Sequence, residues 1–176
     1  MEEEQLIHEI LNGNTQLFSH IVKNYQAQVA NLTYKLCGSK LDVEEVTQQV
    51  FVELYSALPR FKFQSKLSTF IYRITVNVVS KLLTHDKRNV PFDEDLSSLR
   101  LQPLPSAEQE IVKQEKINQL RFCIGKLQQE QRTALVLYTF NDFSYKDIAS
   151  VMQVSLAKVE SLIFRAKKNL KKMLEE

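Results

Sequence analysis

Apolar residues recur at steps of three and four along most of this chain, and each recurrence marks a helix face that has to be buried. Residues 4 to 11 form a short amphipathic stretch that stops at Asn12-Gly13-Asn14. Beyond it Phe18, Ile21 or Val22, Tyr25, Val29, Leu32 and Leu36 keep helical spacing as far as Gly38, placed to end the helix as a left-handed cap does. Asp42 followed by Glu45 reads as a capping-box-like start, and Val43, Val46, Val50 and Leu54 carry the next stripe to Leu58-Pro59. After a basic loop from Arg60 to Ser68, Ser68 or Thr69 is expected to cap a helix through Phe70, Ile71, Ile74, Val78 and Leu82.

The period is lost between Asp86 and Gln109, a stretch that holds Pro91, Pro103 and Pro105 and is longer than usual connections. It reads as a linker. Helix resumes near Ser106 and runs to about Leu127, and Arg132 to Phe140 is a further apolar helix. Ser144 to Leu170 then reads as two short helices joined by a turn. Ser144, with Asp147 three residues on, caps the first; Gln153-Val154-Ser155 makes the turn, and Ser155 caps the second from about Leu156. In that last helix Val159, Leu162 or Ile163, Ala166, Leu170 and Met173 form one apolar stripe, while Lys158, Ser161, Phe164, Arg165 and Lys168 share the opposite face. The pattern predicts an all-α protein of two small helical domains: a four-helix amino-terminal bundle over 1–85, a linker over 86–110, and a carboxyl-terminal helix-turn-helix domain over 111–176.

Composition narrows the picture. Three glycines, four prolines and 44% hydrophobic residues suit helical bundles better than a turn-rich sheet protein. No apolar run approaches the roughly 20 residues that cross a bilayer, and the acidic start MEEEQ is unlike a secretory leader, so a cytoplasmic protein without direct membrane insertion is expected. Cys37 and Cys123 lie far apart in apolar helical surroundings and read as reduced, buried thiols; His8, His20 and His85 add no metal-ligand spacing. The net charge of +2 hides an uneven distribution. Six bases face one acid from Phe61 to Arg88, five acids face one base from Asn89 to Glu110, and six bases face one acid from Lys158 to Lys172. Two basic segments that can follow a phosphate backbone therefore flank an acidic one that it would repel.

Arg and Lys on the last helix suit phosphate oxygens and guanine edges in a major groove, with Ser and Phe available for base edges and methyl groups. A solvated basic helix face is the bland alternative, and the capped partner helix at the correct offset argues against it. In the Arg60 to Ser68 loop, Phe61 and Phe63 either stack on unpaired bases or tuck into the bundle, the commoner fate of a loop phenylalanine. Glu44, Gln48, Gln49 and Glu53 make a polar strip on the third helix that suits either solvent or a protein partner.

Nearly the whole chain resembles the extracytoplasmic-function sigma factors, small promoter-recognition subunits of bacterial RNA polymerase. Gly13-Asn14 through Phe18 and Tyr25 is similar to the family's first-helix pattern, and Asp42-Val43-Glu44-Glu45-Val46-Thr47-Gln48-Gln49-Val50-Phe51 to its polymerase-clamp-binding helix. Ser65-Lys66-Leu67-Ser68-Thr69-Phe70-Ile71-Tyr72-Arg73-Ile74 with Asn77 resembles the segment that opens and reads the minus-ten element. Leu127 and Arg132, then Ser144 to Ala149, Val159-Glu160-Ser161 and Phe164-Arg165-Ala166 resemble its minus-thirty-five helix-turn-helix.

The resemblance implies polymerase binding by Asp42, Glu45, Gln48, Gln49, Phe51 and Glu53. It implies minus-ten contacts from Lys62, Phe63, Lys66, Ser68, Thr69, Phe70, Tyr72, Arg73 and Asn77, and minus-thirty-five contacts from Ser155, Lys158, Glu160, Ser161, Phe164, Arg165 and Lys168. Core RNA polymerase, promoter DNA and an anti-sigma factor are the implied partners, with no cofactor, metal, catalytic residue or small-molecule substrate. The sequence departs from the family's habit at four places. Phe70 replaces a Trp; Gln153 replaces the Gly of the turn, which must then avoid positive φ or bear strain. Glu160 stands at a commonly basic position, and Lys81 and Thr84 stand where Asp and Arg are frequent.

Two other classes compete. A helix-turn-helix regulator acting without being a polymerase subunit leaves the 42–51 and 65–77 segments unexplained. An all-α enzyme lacks a His and carboxylate constellation, a nucleophile elbow and a phosphate-cradling glycine loop.

Overall fold

The computed structural model describes residues 3–85, 107–140 and 143–175, and the expected linker falls mainly on residues 86–106, outside the described residues. Among the described residues the secondary structure is helical throughout: α1 (Glu3–Leu11), α2 (Phe18–Cys37), α3 (Val43–Ala57), α4 (Leu67–His85), α5 (Ala107–Lys126), α6 (Gln129–Phe140), α7 (Tyr145–Met152) and α8 (Leu156–Glu175), with short 3-10 turns at Thr15–Leu17, Gly38–Lys40 and Leu58–Arg60.

The caps account for the boundaries. Asp42 accepts hydrogen bonds from the N–H groups of Glu44 at 2.9 Å and Glu45 at 3.0 Å, which starts α3. Ser144 and Asp147 form a reciprocal capping box at the start of α7. Gly38 closes α2 at φ +60 and ψ −137, a combination closed to residues with a Cβ, and its N–H returns to the Tyr34 carbonyl. One start differs from the expectation: α4 begins at Leu67, with the Phe70 N–H bonded to the Lys66 carbonyl at 3.2 Å. Ser68 and Thr69 therefore lie in its first turn rather than at the cap. The apolar Leu67, buried in the core, pulls the helix start back.

α2, α3 and α4 pack on one another, with α1 across one end; α8 packs on α5, α6 and α7. The two groups also meet, α4 against α7 and α2 against α6, and one apolar core runs on from Ile7 and Val50 through Ile71 and Val78 to Leu137, Ile148 and Ile163. A smaller cluster of Cys123, Leu127, Leu135, Ala166 and Leu170 joins α5 to α8. Because α4 is enclosed from both sides, most of its residues from Leu67 to Val79 are buried, Thr69 and Thr75 among them, while Asn77 and Lys81 stay exposed.

Both cysteines are free and buried. Burial pushes the Cys37 thiol up to about 11, against smaller opposing pulls from a hydrogen bond with the Leu41 backbone and from the charge of Arg132 on the other helical group. Arg132 is 5% exposed; its Nη1 donates to the Gly125 carbonyl at 3.1 Å, and its Nε has no partner among the described residues. A buried donor left unmet costs about 1–3 kcal/mol.

Candidate nucleic-acid interface

The face of α8 follows from its register. With Val159, Leu162, Ile163, Ala166 and Leu170 buried, Lys158, Glu160, Phe164, Arg165 and Lys168 are turned to solvent, and Ser161 is half-buried. Phe164 is 69% exposed, an unusual position for a large ring with no partner surface in place. Ser155 is also exposed, and its Oγ accepts the Lys158 N–H at 3.2 Å, which fixes where the helix begins. Glu130 pairs with Lys158 Nζ at 2.8 Å, and Gln131 Oε1 accepts from Asn169 at 2.9 Å, so α6 holds α8 by two polar contacts besides the apolar seam. The turn before α8 does contain a residue at positive φ: Gln153 sits at φ +55 and ψ 44, and the Val154 N–H reaches the Ala149 carbonyl at 3.1 Å. The missing glycine is thus borne as strain. Leu156, 48% exposed in the first turn of α8, joins this face although the apolar pattern marked it only as the helix start.

The second surface is built differently. Phe61 is buried at 9% and packs on Phe70 with ring centroids 4.9 Å apart; Phe63 lies 4.9 Å from Phe61 but is 37% exposed. The loop thus resolves both alternatives, one ring tucked and one out. Phe63 has φ +55, the left-handed region that a bulky residue enters only when held there, at a cost of about 1–3 kcal/mol. The Arg73 guanidinium lies 5.0 Å over the Phe70 ring. These groups frame a cleft of about 350 Å³ lined by Arg60, Phe61, Lys62, Phe70 and Arg73, with Ser150 of α7 on its far wall.

Of the other residues expected here, Lys62, Lys66 and Asn77 are exposed, Ser68 and Arg73 are half-buried, and Thr69 and Tyr72 are buried. Tyr72 meets Phe143 edge-on at 5.1 Å, so the chain just before α7 covers it. Arg60, Phe61 and Ser150 enter the cleft although the minus-ten set did not include them. Arg60 and Phe61 had a signal, lying in the basic aromatic loop; Ser150 had none, because the packing of α7 on α4 brings it there.

On α3, Asp42, Glu45 and Gln48 are exposed and Gln49 and Glu53 half-buried, whereas Phe51 is only 7% exposed and belongs to the core. Val52, 66% exposed, and Tyr55, 43% exposed, add apolar surface to the same helix. Such surface next to a polar strip is what a protein-binding helix needs. Among the described residues no group of His, Cys, Asp and Glu could hold a metal ion, and no helix is long and apolar enough to cross a membrane.

Residues 21–89 match the Sigma-70 region 2 family, and residues 117–170 match the Sigma-70, region 4 family. The chain is 28% identical to the ECF RNA polymerase sigma-E factor of Escherichia coli, over 95% of this chain and 91% of that one. It is 30% identical to the RNA polymerase sigma-H factor of Pseudomonas aeruginosa, over 99% of this chain and 94% of that one. The chain belongs to the extracytoplasmic-function sigma factors. Its fold agrees with that of a sigma factor solved in another setting. The sigma factor RpoE in complex with the anti-sigma factor NepR from Bartonella quintana superposes with a TM-score of 0.67 at 17% identity, covering 90% of this chain and 96% of that one. As an RNA polymerase sigma factor, the protein directs promoter recognition and transcription initiation. The region 2 match spans α3, the loop and α4, the parts that a helix-turn-helix regulator outside the polymerase leaves without a role. Members of this family are non-catalytic polymerase subunits.

Proposed function

We propose that this sigma factor divides initiation among three surfaces, with residues 1–85 and 111–176 as the two working domains and 86–110 as their tether. On α3, Asp42, Glu45, Gln48, Gln49 and Glu53, with the exposed Val52 and Tyr55, dock on core RNA polymerase; Phe51 supports them from beneath. The loop and α4 take the minus-ten element. A base leaving the stack costs a few kcal/mol, roughly, and a cleft that offers aromatic rings among cations returns much of that by stacking. Phe61 and Phe70 supply the rings, Lys62, Lys66 and Arg73 the charge for the backbone, and Phe63, Ser68, Thr69, Tyr72 and Asn77 shape or flank the cleft. The exposed face of α8 reads the minus-thirty-five element through Ser155, Lys158, Glu160, Ser161, Phe164, Arg165 and Lys168. Glu160 repels phosphate but accepts from a cytosine amino group, which gives the element a preference of its own.

The observation that carries this reading is the cleft. Cations and aromatic rings converge at one concavity in a chain whose last helix presents a separate basic face. The protein works in the cytoplasm with its polymerase, performs no chemistry of its own and needs no cofactor. An anti-sigma factor is a further partner, a reading supported by the bound state of the RpoE neighbour.

Transcription by holoenzyme reconstituted from this chain and core polymerase, on a randomised promoter library, tests the whole reading. The expected result is co-elution with core and enrichment of two short elements at a fixed spacing. Failure to join core, or start sites that do not move when the chain is added, would overturn it. Gln49→Ala with Glu53→Ala is expected to weaken the core titration without unfolding the chain.

A further inference from the structure

α1 lies outside both sigma-family matches, the first of which begins at residue 21, yet it touches the loop that frames the cleft. The His8 ring stacks on Phe63 with centroids 5.2 Å apart and planes 27° apart. Phe63 in turn leans on Phe61, Phe61 on Phe70, and Arg73 lies over Phe70. A run of rings therefore connects α1 to the cationic wall of the cleft. Phe61, Phe70 and Arg73 line that cleft, whereas Phe63 and His8 do not. His8 thus stands behind the loop and leaves the cavity open.

Two further facts make α1 a firm support. Leu6, Ile7 and Ile10 anchor it in the core, and Tyr25 of α2 donates a hydrogen bond to Glu3 at its start. Glu4, one turn before His8, places Oε1 4.0 Å from His8 Nε2. The residue that α1 supports is the one in need of it. Phe63 occupies the left-handed region, from which a bulky side chain relaxes to extended backbone unless its ring is fixed. Fixing that ring fixes the curvature of the loop, and with it the place of Phe61 and Lys62 on the cleft wall.

We propose that His8 is a positioning residue for promoter opening: by stacking on Phe63 it keeps the 61–66 loop in the shape that receives an unstacked base. The proposal rests on the reading of the cleft as the minus-ten site. His8 acts on strand opening and leaves core binding, on α3, and duplex reading, on α8, untouched.

Holoenzyme carrying His8→Ala is compared with wild type for open-complex formation by permanganate reactivity and run-off transcription. Two templates are used, an intact duplex promoter and the same promoter with its minus-ten element already unpaired. Loss of one stacked pair is expected to lower opening on the duplex about threefold to tenfold. Activity on the unpaired template, where strand separation no longer depends on the loop, stays at the wild-type level, and His8→Phe, which keeps a ring on Phe63, restores the duplex. Because the His8 side chain is 59% exposed and only one stack is lost, the thermal midpoint of His8→Ala should fall by no more than about 2–4 °C.

Unchanged opening on the duplex, an equal loss on both templates, no recovery with His8→Phe, or a large drop in thermal midpoint would each overturn the proposal. Phe63→Ala separates its failure from that of the reading beneath it. If Phe63→Ala loses opening and His8→Ala does not, the positioning role falls and the cleft stands. If Phe63→Ala opens promoters normally, the loop itself loses its assignment.

Discussion

The two surfaces proposed to meet nucleic acid are made by opposite means. On α8 the apolar stripe is spent on the core, and the outward Phe164, Arg165 and Lys168 carry no packing duty and reach into solvent. In the loop and α4 the same residues hold the fold and shape the cleft, since Phe61, Phe70 and Tyr72 are buried while Arg73 rests on one of their rings. The difference matches the two tasks. Reading an intact duplex needs side chains that reach into a groove already formed, whereas capturing an extruded base needs a cavity whose shape exists beforehand. Apart from Ser155, which caps α8, and Lys158, which pairs with Glu130, the first surface can therefore vary with little effect on stability; the second cannot.

The largest expected effect tests that separation directly. Phe70→Ala removes the ring on which both Phe61 and Arg73 lean, and denaturant unfolding should show a loss of about 3–5 kcal/mol. Phe164→Ala should stay within about 0.5 kcal/mol of wild type in the same assay while weakening minus-thirty-five DNA. Equal stability losses would erase the contrast.

The buried side should also respond to pH through Cys37, on the helix that meets the second helical group at Arg132. Its thiol titrates near 9.0 when free and at about 11 in the folded chain. The neutral form is favoured by folding, so this contribution is complete below about pH 9 and is lost as pH rises through about 11, amounting to about 2–3 kcal/mol. Chemical denaturation at pH 8 and pH 11 should give a steeper fall for wild type than for Cys37→Ala.

On the exposed side, Arg165→Ala should cost about 1–3 kcal/mol of promoter affinity if it reads a base, or lower the salt slope by about one if it meets a phosphate, with stability unchanged. Binding isotherms at several salt concentrations distinguish the two. Phe143→Ala probes the contact between the groups. Removing the edge-on partner of Tyr72 should raise the free chain's affinity for single-stranded minus-ten DNA about threefold to tenfold, measured by fluorescence anisotropy. The smallest effect concerns Gln153. Gln153→Gly relieves the left-handed turn and should stabilise the chain by about 0.5–1 kcal/mol in thermal unfolding, without altering the sequence preference of α8.

How much of this could be read beforehand depended on periodicity. The stripe on α8 predicted most of its buried and exposed faces, with Ser161 and Met173 half-buried between them, because α5, α6 and α7 all pack against one side of this amphipathic helix. On α3 the stripe through Val43, Val46, Val50 and Leu54 was drawn too narrow. Phe51, one position off it, also lies in the core, because α3 faces α2 and α4 together. In the loop no period exists, and the opposite fates of Phe61 and Phe63 were decided by neighbours from α1 and α4.

Hydrophobic spacing, caps and charge runs by themselves determined the helical class, the order of the helices, the capped helix-turn-helix and the existence of a basic aromatic loop. These are local properties, set by residues a few positions apart. Only the tertiary structure decided that α4 is enclosed on both sides, that Ser150 lines the cleft, that Tyr72 lies under Phe143 and that His8 stacks on Phe63. Each of those contacts joins residues far apart in the chain, and no spacing rule along one helix records what a second helix brings against it.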